Sequence, residues 1–256
     1  MSSPLHPVAL LARRFCVDWL DRADASVPPE IMTPGYRVHI GRAGLDGLDA
    51  YTAGTLGQLT QFAGLLLTVH QLVSDGDQLA LHFTEHGAST RHGGRAAAWR
   101  GVALFRIEDG RLAENWTQED YYSRRRQLAD GPADPVPAPA ISPWTTPVQA
   151  PAPAAEEIAR TWLAEPSFAG VAVDDGRAPV IEPASFRVDR LFSAGDTVAF
   201  AGAWQGRYLG GLDGAQSPAD GVELGACGLL TVDGAVVTSG AVVTDRLGLR
   251  RTLKPQ

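Results

Sequence analysis

Apolar positions along the chain obey two periods in turn. Between Pro7 and Asp24, the residues Leu10, Leu11, Phe15, Val17 and Leu20 fall near helical spacing, and Leu48–Leu66 reads the same way, so two helices are predicted. An early strand is expected at Tyr36–Ile40. From residue 67 the period drops to two, predicting strands over about 67–73, 78–87, 96–107 and 111–120 with a short helix behind them. Asp109-Gly110, set between two apolar runs, is a hairpin signal, because such turns need residues that tolerate positive φ.

The pattern is written twice. Val69-His70-Gln71-Leu72-Val73-Ser74-Asp75-Gly76-Asp77-Gln78-Leu79-Ala80-Leu81 aligns with Val188-Asp189-Arg190-Leu191-Phe192-Ser193-Ala194-Gly195-Asp196-Thr197-Val198-Ala199-Phe200 in its apolar positions and its Gly-Asp turn. Gly101–Gly110 aligns with Gly228–Gly234, and Asp120…Arg125-Arg126-x-Leu128 with Asp245…Arg250-Arg251-x-Leu253. Three matches in one order establish an internal duplication. The second copy keeps the strands but little of the helical front, with only Ala155–Ala164 reading as helix before Pro166. Between the copies, Asp130–Ala154 carries prolines at 132, 135, 137, 139, 143, 147, 151 and 153. Proline removes backbone donors and fixes φ, so an extended, semi-rigid spacer is predicted. Ile141, Trp144 and Val148 are expected to pin it to a domain. The domain reading is a working first unit over 1–129, a linker over 130–154 and a degenerate second unit over 155–256.

Composition narrows the classes of function. Hydrophobic residues make up 45% and charged residues 20%, the profile of a globular protein. A net charge of −7 argues against nucleic acid or an anionic membrane surface as partner. The one basic run, Arg124–Arg126, reads as the solvated side of a helix. Cys16 and Cys227 are isolated, making neither a disulfide framework nor a metal knuckle, so a reducing compartment is expected. Met1–Leu11 has no basic n-region and Arg13-Arg14 interrupts the apolar stretch, unlike a signal peptide. No segment approaches the ~18 apolar residues that span a bilayer. A cytoplasmic location is expected.

The run Trp99-Arg-Gly-Val-Ala-Leu-Phe-Arg-Ile-Glu-Asp109-Gly110-Arg-Leu-Ala-Glu114-x-Trp116, preceded by Gly76-Asp77-x-Leu79-Ala80 and followed by Asp120, resembles the SnoaL-like polyketide cyclases of the nuclear transport factor 2-like (ketosteroid isomerase-like) superfamily. The likeness covers about residues 5–129 well and 155–253 more loosely. It implies an α+β fold: cone-shaped, curved antiparallel sheets with packed N-terminal helices and an apolar pocket inside. Family members pair sheet on sheet, so a tandem copy implies an intramolecular pseudo-dimer, with a homodimer left open. It also implies a hydrophobic small-molecule substrate, no cofactor, and a cyclase, isomerase or dehydratase reaction. A binding protein without catalysis, or an epoxide hydrolase of the same superfamily, are the alternatives.

The family's acid/base aspartate corresponds to Asp120. Strand alternation puts Glu114, Trp116, Gln118 and Asp120 on one face and Asn115, Thr117 and Glu119 on the other. The competing reading of Asp120 is a helix cap, since Asp245 repeats it beside Arg250-Arg251. On strand 78–87, His82, Thr84 and His86 share a face, opposite Leu81, Phe83 and Glu85, and become Ala201, Ala203 and Gln205 in the second copy. This places a working site in the first half. The candidate catalytic residues are Asp120, His39 and His82, and the candidate substrate contacts are Trp116, Gln118, Trp99, His86 and Tyr51. His82 and His86 stand about 13 Å apart along a strand, too far to share a zinc ion held at ~2 Å from each ligand. No Gly-rich phosphate loop, Ser nucleophile elbow or His-x-x-x-His motif is present.

Overall fold

The computed structural model describes residues 5–41, 43–216 and 219–255. The first unit opens with α1 (Pro7–Arg13), which runs unbroken into a π-helical stretch, Arg14–Asp21. The helix expected over 7–24 therefore changes its winding midway, burying Phe15, Cys16, Trp19 and Leu20 on one side. The short α2 (Pro28–Ile31) leads to β1 (Met32–Ile40), β2 (Ala43–Asp46) and α3 (Leu48–Gln61). α3 stops at Gln61 rather than Leu66 because Phe62 leaves helical backbone and Gly64 takes φ +77°, a conformation that glycine tolerates. An antiparallel meander follows: β3 (Leu66–Ser74), β4 (Gln78–Ser89), β5 (Arg95–Glu108) and β6 (Arg111–Glu119), closed by α4 (Tyr121–Ala129). β1 joins β6 in parallel, giving the order β2-β1-β6-β5-β4-β3.

The second unit repeats that topology. α5 (Pro153–Ala164) precedes β7 (Val171–Val173), β8 (Ile181–Ala194), β9 (Thr197–Tyr208), β10 (Ala219–Asp233) and β11 (Val236–Thr244), and α6 (Arg246–Thr252) ends it. The order is β7-β11-β10-β9-β8, with the three-residue β7 parallel to β11 where β1 lies parallel to β6. Even the irregularities repeat. Register slips between Val69 and Gln71 in one sheet and between Val188 and Arg190 in the other. A bulge bends the strand and increases its twist, which helps each sheet to curl. Gly101 and Gly228 lie opposite Phe83 and Phe200, where a Cβ would run into the facing ring.

Three apolar clusters result. One fills the first cone, beneath the helices; one fills the second; the third lies between the two convex faces, joining Val73, Ala80, Val102 and Leu104 to Phe192, Ala199, Ala201 and Leu229. The units thus pack sheet on sheet, and the alanines permit close approach. The linker runs along the edge of β3: Ala140 N–H donates to Val69 O at 2.8 Å and Gln149 N–H to Ser74 O at 2.9 Å. Trp144 packs on the first core and Val148 is half-buried, but Ile141 is 98% exposed and pins nothing.

Candidate active site

A cavity of about 270 Å³ opens inside the first cone. Phe15 and Leu20 of the π-helical stretch, Val38, Leu45, Leu67 and Phe83 make its walls apolar. Into it project Asn115, Thr117 and Glu119 of β6 and Glu85 of β4. The face turned inward is therefore the one opposite to the face expected from the polar pattern. His82, Thr84 and His86 lie on the other side of β4, as Trp116 does on β6. The reason is that both faces of these strands are covered. The convex face meets the second unit and the linker, so polar residues there mark a protein interface rather than a pocket.

Glu85 is 3% exposed, and its carboxyl lies within hydrogen-bond reach of Glu119. Burial first, and the Glu119 charge second, push Glu85 well above the usual carboxylate range, with the Arg124 cation opposing them. Two adjoining carboxyls in an apolar enclosure hold one proton between them. Of the two, Glu85 is the one whose hold on a proton is strengthened by burial. Around the pair, Gln58 Nε2 donates to Glu85 Oε2 at 2.8 Å and Trp99 Nε1 donates to Glu119 Oε2 at 2.9 Å. Arg124 Nη1 reaches Gln58 Oε1 at 3.1 Å. Of the basic run, only Arg125 is solvated: Arg124 packs on aromatic rings and Arg126 binds Asp134.

Of the residues singled out by sequence, Tyr51 lines the cavity, its hydroxyl accepting from Trp19 Nε1 at 3.1 Å. Trp99 stands behind the pair as a hydrogen-bond donor. The others are not brought to this cavity. Asp120 caps α4, accepting from Ser123 N–H at 3.1 Å, and its carboxylate takes Arg246 Nη2 at 2.6 Å. That expectation is corrected: Asp120 belongs to the joint between the units. There Arg246 also meets Asp175 at 2.9 Å and Asp174 at 3.4 Å. Burial raises Asp174 to about 7, against the pull of Arg246. Asp245 caps α6 through Gly248 N–H at 2.7 Å, so the repeated aspartate is a repeated cap.

His39 bonds Glu114 at 2.8 Å and stacks on Trp116, whose other neighbour is Arg190 of the second unit. His82 faces the interface beside His70, its Nε2 without a partner among the described residues. Burial, with His70 and Arg100 nearby, lowers its pKa to about 3, which leaves it neutral. His86 bonds Thr68 at 3.1 Å next to the linker, and Gln118 donates to the Glu119 carbonyl at 3.2 Å. Glu85, Glu119, Gln58 and Arg124 were missed. The available signal was a carboxylate on the apolar side of β4, in step with Leu81 and Phe83.

Among the described residues, the second cone holds no such pair. In the repeat alignment, Glu85 corresponds to Trp204 and Glu119 to Thr244. Trp204 joins Trp162, Phe168, Phe186 and Phe200 in a ring cluster with centroids 5.0–6.4 Å apart, and donates to Leu163 O at 2.9 Å. Thr244 is tied to Asp174. Among the described residues, no three His, Cys, Asp or Glu side chains gather as ligands for a metal ion, and no helix is long and apolar enough to cross a membrane.

These features define an α+β cone fold used twice in one chain, with an acidic cavity in the first copy. Residues 10–128 match the family model of the SnoaL-like polyketide cyclases, and the first unit is a SnoaL-like domain. No curated protein matches the chain. Among solved structures, a Jannaschia sp. CCS1 protein assigned to the SnoaL-like polyketide cyclases is 20% identical, over 52% of this chain and 99% of its own, with a TM-score of 0.46. TsrD from Streptomyces laurentii is 24% identical, over 50% of this chain and 98% of its own, with a TM-score of 0.45. An LEH-like epoxide hydrolase of M. tuberculosis is 15% identical, over 51% and 91%, with a TM-score of 0.43.

Proposed function

We propose that the first unit is a cofactor-independent acid–base enzyme acting on a hydrophobic, carbonyl-bearing small molecule, of the cyclase, isomerase or dehydratase type. The observation that carries this reading is the Glu85–Glu119 pair enclosed in an apolar cavity. A protonated carboxyl and an ionised neighbour supply both halves of proton transfer to a ketone. Glu119 removes a proton from the carbon next to the carbonyl while Glu85 hydrogen-bonds the oxygen that becomes enolic. Trp99 N–H holds the Glu119 carboxylate in place. On this reading Asp120, His39 and His82 hold structure rather than move protons.

Removal of an α-proton is the elementary step shared by these reactions, so it is testable without the natural substrate. A bicyclic aromatic ketone such as 1-tetralone, incubated with the protein in deuterated buffer, is expected to exchange its α-protons faster than in buffer alone. Glu119→Gln should abolish the enhancement, and Glu85→Gln should reduce it about 100-fold, the scale of a lost general acid. Exchange at the unaltered rate in both variants would sink the reading. The same pair also suits epoxide opening, with Glu85 protonating the oxygen and Glu119 activating a water. Diol formation from an apolar epoxide, lost in the same variants, would favour that reading instead.

A further inference from the structure

Gln58 stands between two charged groups. Its carboxamide oxygen accepts from Arg124 Nη1 at 3.1 Å, and its nitrogen donates to Glu85 Oε2 at 2.8 Å. A guanidinium carries only N–H groups, so the Gln58 atom facing it must be oxygen, and the amide has no freedom to turn over. Arg124 is itself held firmly. Its guanidinium lies 4.1 Å from the ring centre of Tyr121, 4.8 Å from that of Trp99 and 5.6 Å from that of Phe62.

We propose that Arg124 is a positioning residue: by fixing the Gln58 amide it keeps the Glu85 proton off Oε2 and on Oε1, the oxygen left to meet Glu119 or a ligand. An oxygen that receives an N–H bond acts as an acceptor, so the proton resides on the other oxygen. With the amide reversed, the Gln58 carbonyl would face Glu85 and take that proton as a hydrogen bond, withdrawing it from Glu119. Arg124 thus acts on the chemistry through Gln58 without touching the reacting atoms. The inference rests on the carboxyl-pair reading of function.

The test needs no substrate. In the full chain, the carbonyl stretch of protonated Glu85, identified by its loss in Glu85→Gln, is titrated by infrared difference spectroscopy. In Arg124→Met the acid band should persist to higher pH by about one unit or more, because the cation and the amide orientation are lost together. In a Gln58→Leu background the same Arg124 substitution should move the band less, since only the charge is then removed. Equal shifts in the two backgrounds, or no shift, would overturn the positioning role. Gln58→Glu gives an independent route if Arg124→Met does not fold. It leaves the cation in place yet presents only oxygen to Glu85, and an unmoved midpoint there would also overturn the proposal. Absence of any Glu85-dependent acid band in the unaltered protein would overturn the carboxyl-pair reading instead.

Discussion

Glu85 lies on the apolar face of β4, and its burial has a consequence for stability as well as chemistry. Its pKa is raised in the folded state, so the native protein binds this proton more tightly than the unfolded chain does. That stability is present at and below the ordinary carboxylate range and is lost as pH rises through the raised pKa. We expect Glu85→Gln to flatten this decline in stability as pH rises. Denaturant unfolding across pH 5–9 measures this, and parallel pH profiles for the two proteins would contradict it. Sequence pattern could not single out this residue. On a half-buried strand, alternation marks the wet face, and His82, Thr84 and His86 look like one. They are instead covered, and two of them are partnered, Thr84 by His70 at 2.8 Å and His86 by Thr68. The polar signal was genuine, but what it recorded was an interface within the chain.

At the scale of elements, α4 and α6 begin on equivalent aspartates with unequal duties. Asp245 satisfies a backbone N–H at the start of α6, whereas Asp120 caps α4 and also neutralises Arg246, which is 3% exposed. Asp120→Ala leaves a buried guanidinium short of a partner and should cost about 3 kcal/mol. Asp245→Ala should cost about 1 kcal/mol, the value of a cap. Thermal unfolding of the two variants distinguishes these outcomes, and equal losses would show that Arg246 does not depend on Asp120. Elements were legible where turn chemistry dictates them. Asp109 and Gly110 adopt φ +49° and +70°, the paired positive angles that an Asp-Gly hairpin signals. The parallel pairing of β1 with β6 was not legible, because it joins segments far apart in sequence and no local pattern encodes which edge a strand will find. Nor was the change from α to π winding at Arg14, where the apolar spacing stays close to helical through both stretches.

For the molecule as a whole, the duplication and the proline-rich spacer were readable, and they foretold two sheets. The convex faces of both sheets are packed against one another, so neither is free to meet a second chain. We expect light scattering to return the mass of a single chain, 27.1 kDa, and a mass twice that would show a second pairing surface at work. The linker's bonds to β3, and that of Gly195 N–H to Ala150 O at 3.0 Å, hold the spacer against the units that it connects. A tether of this kind sets an effective concentration in the millimolar range, so dilution does not part the halves. It also lifts a constraint of inheritance. In a dimer of identical chains, a tryptophan at the position of Glu85 would close both cavities at once. Covalent continuity lets one copy acquire Trp204 and become packing material while the other keeps its acid.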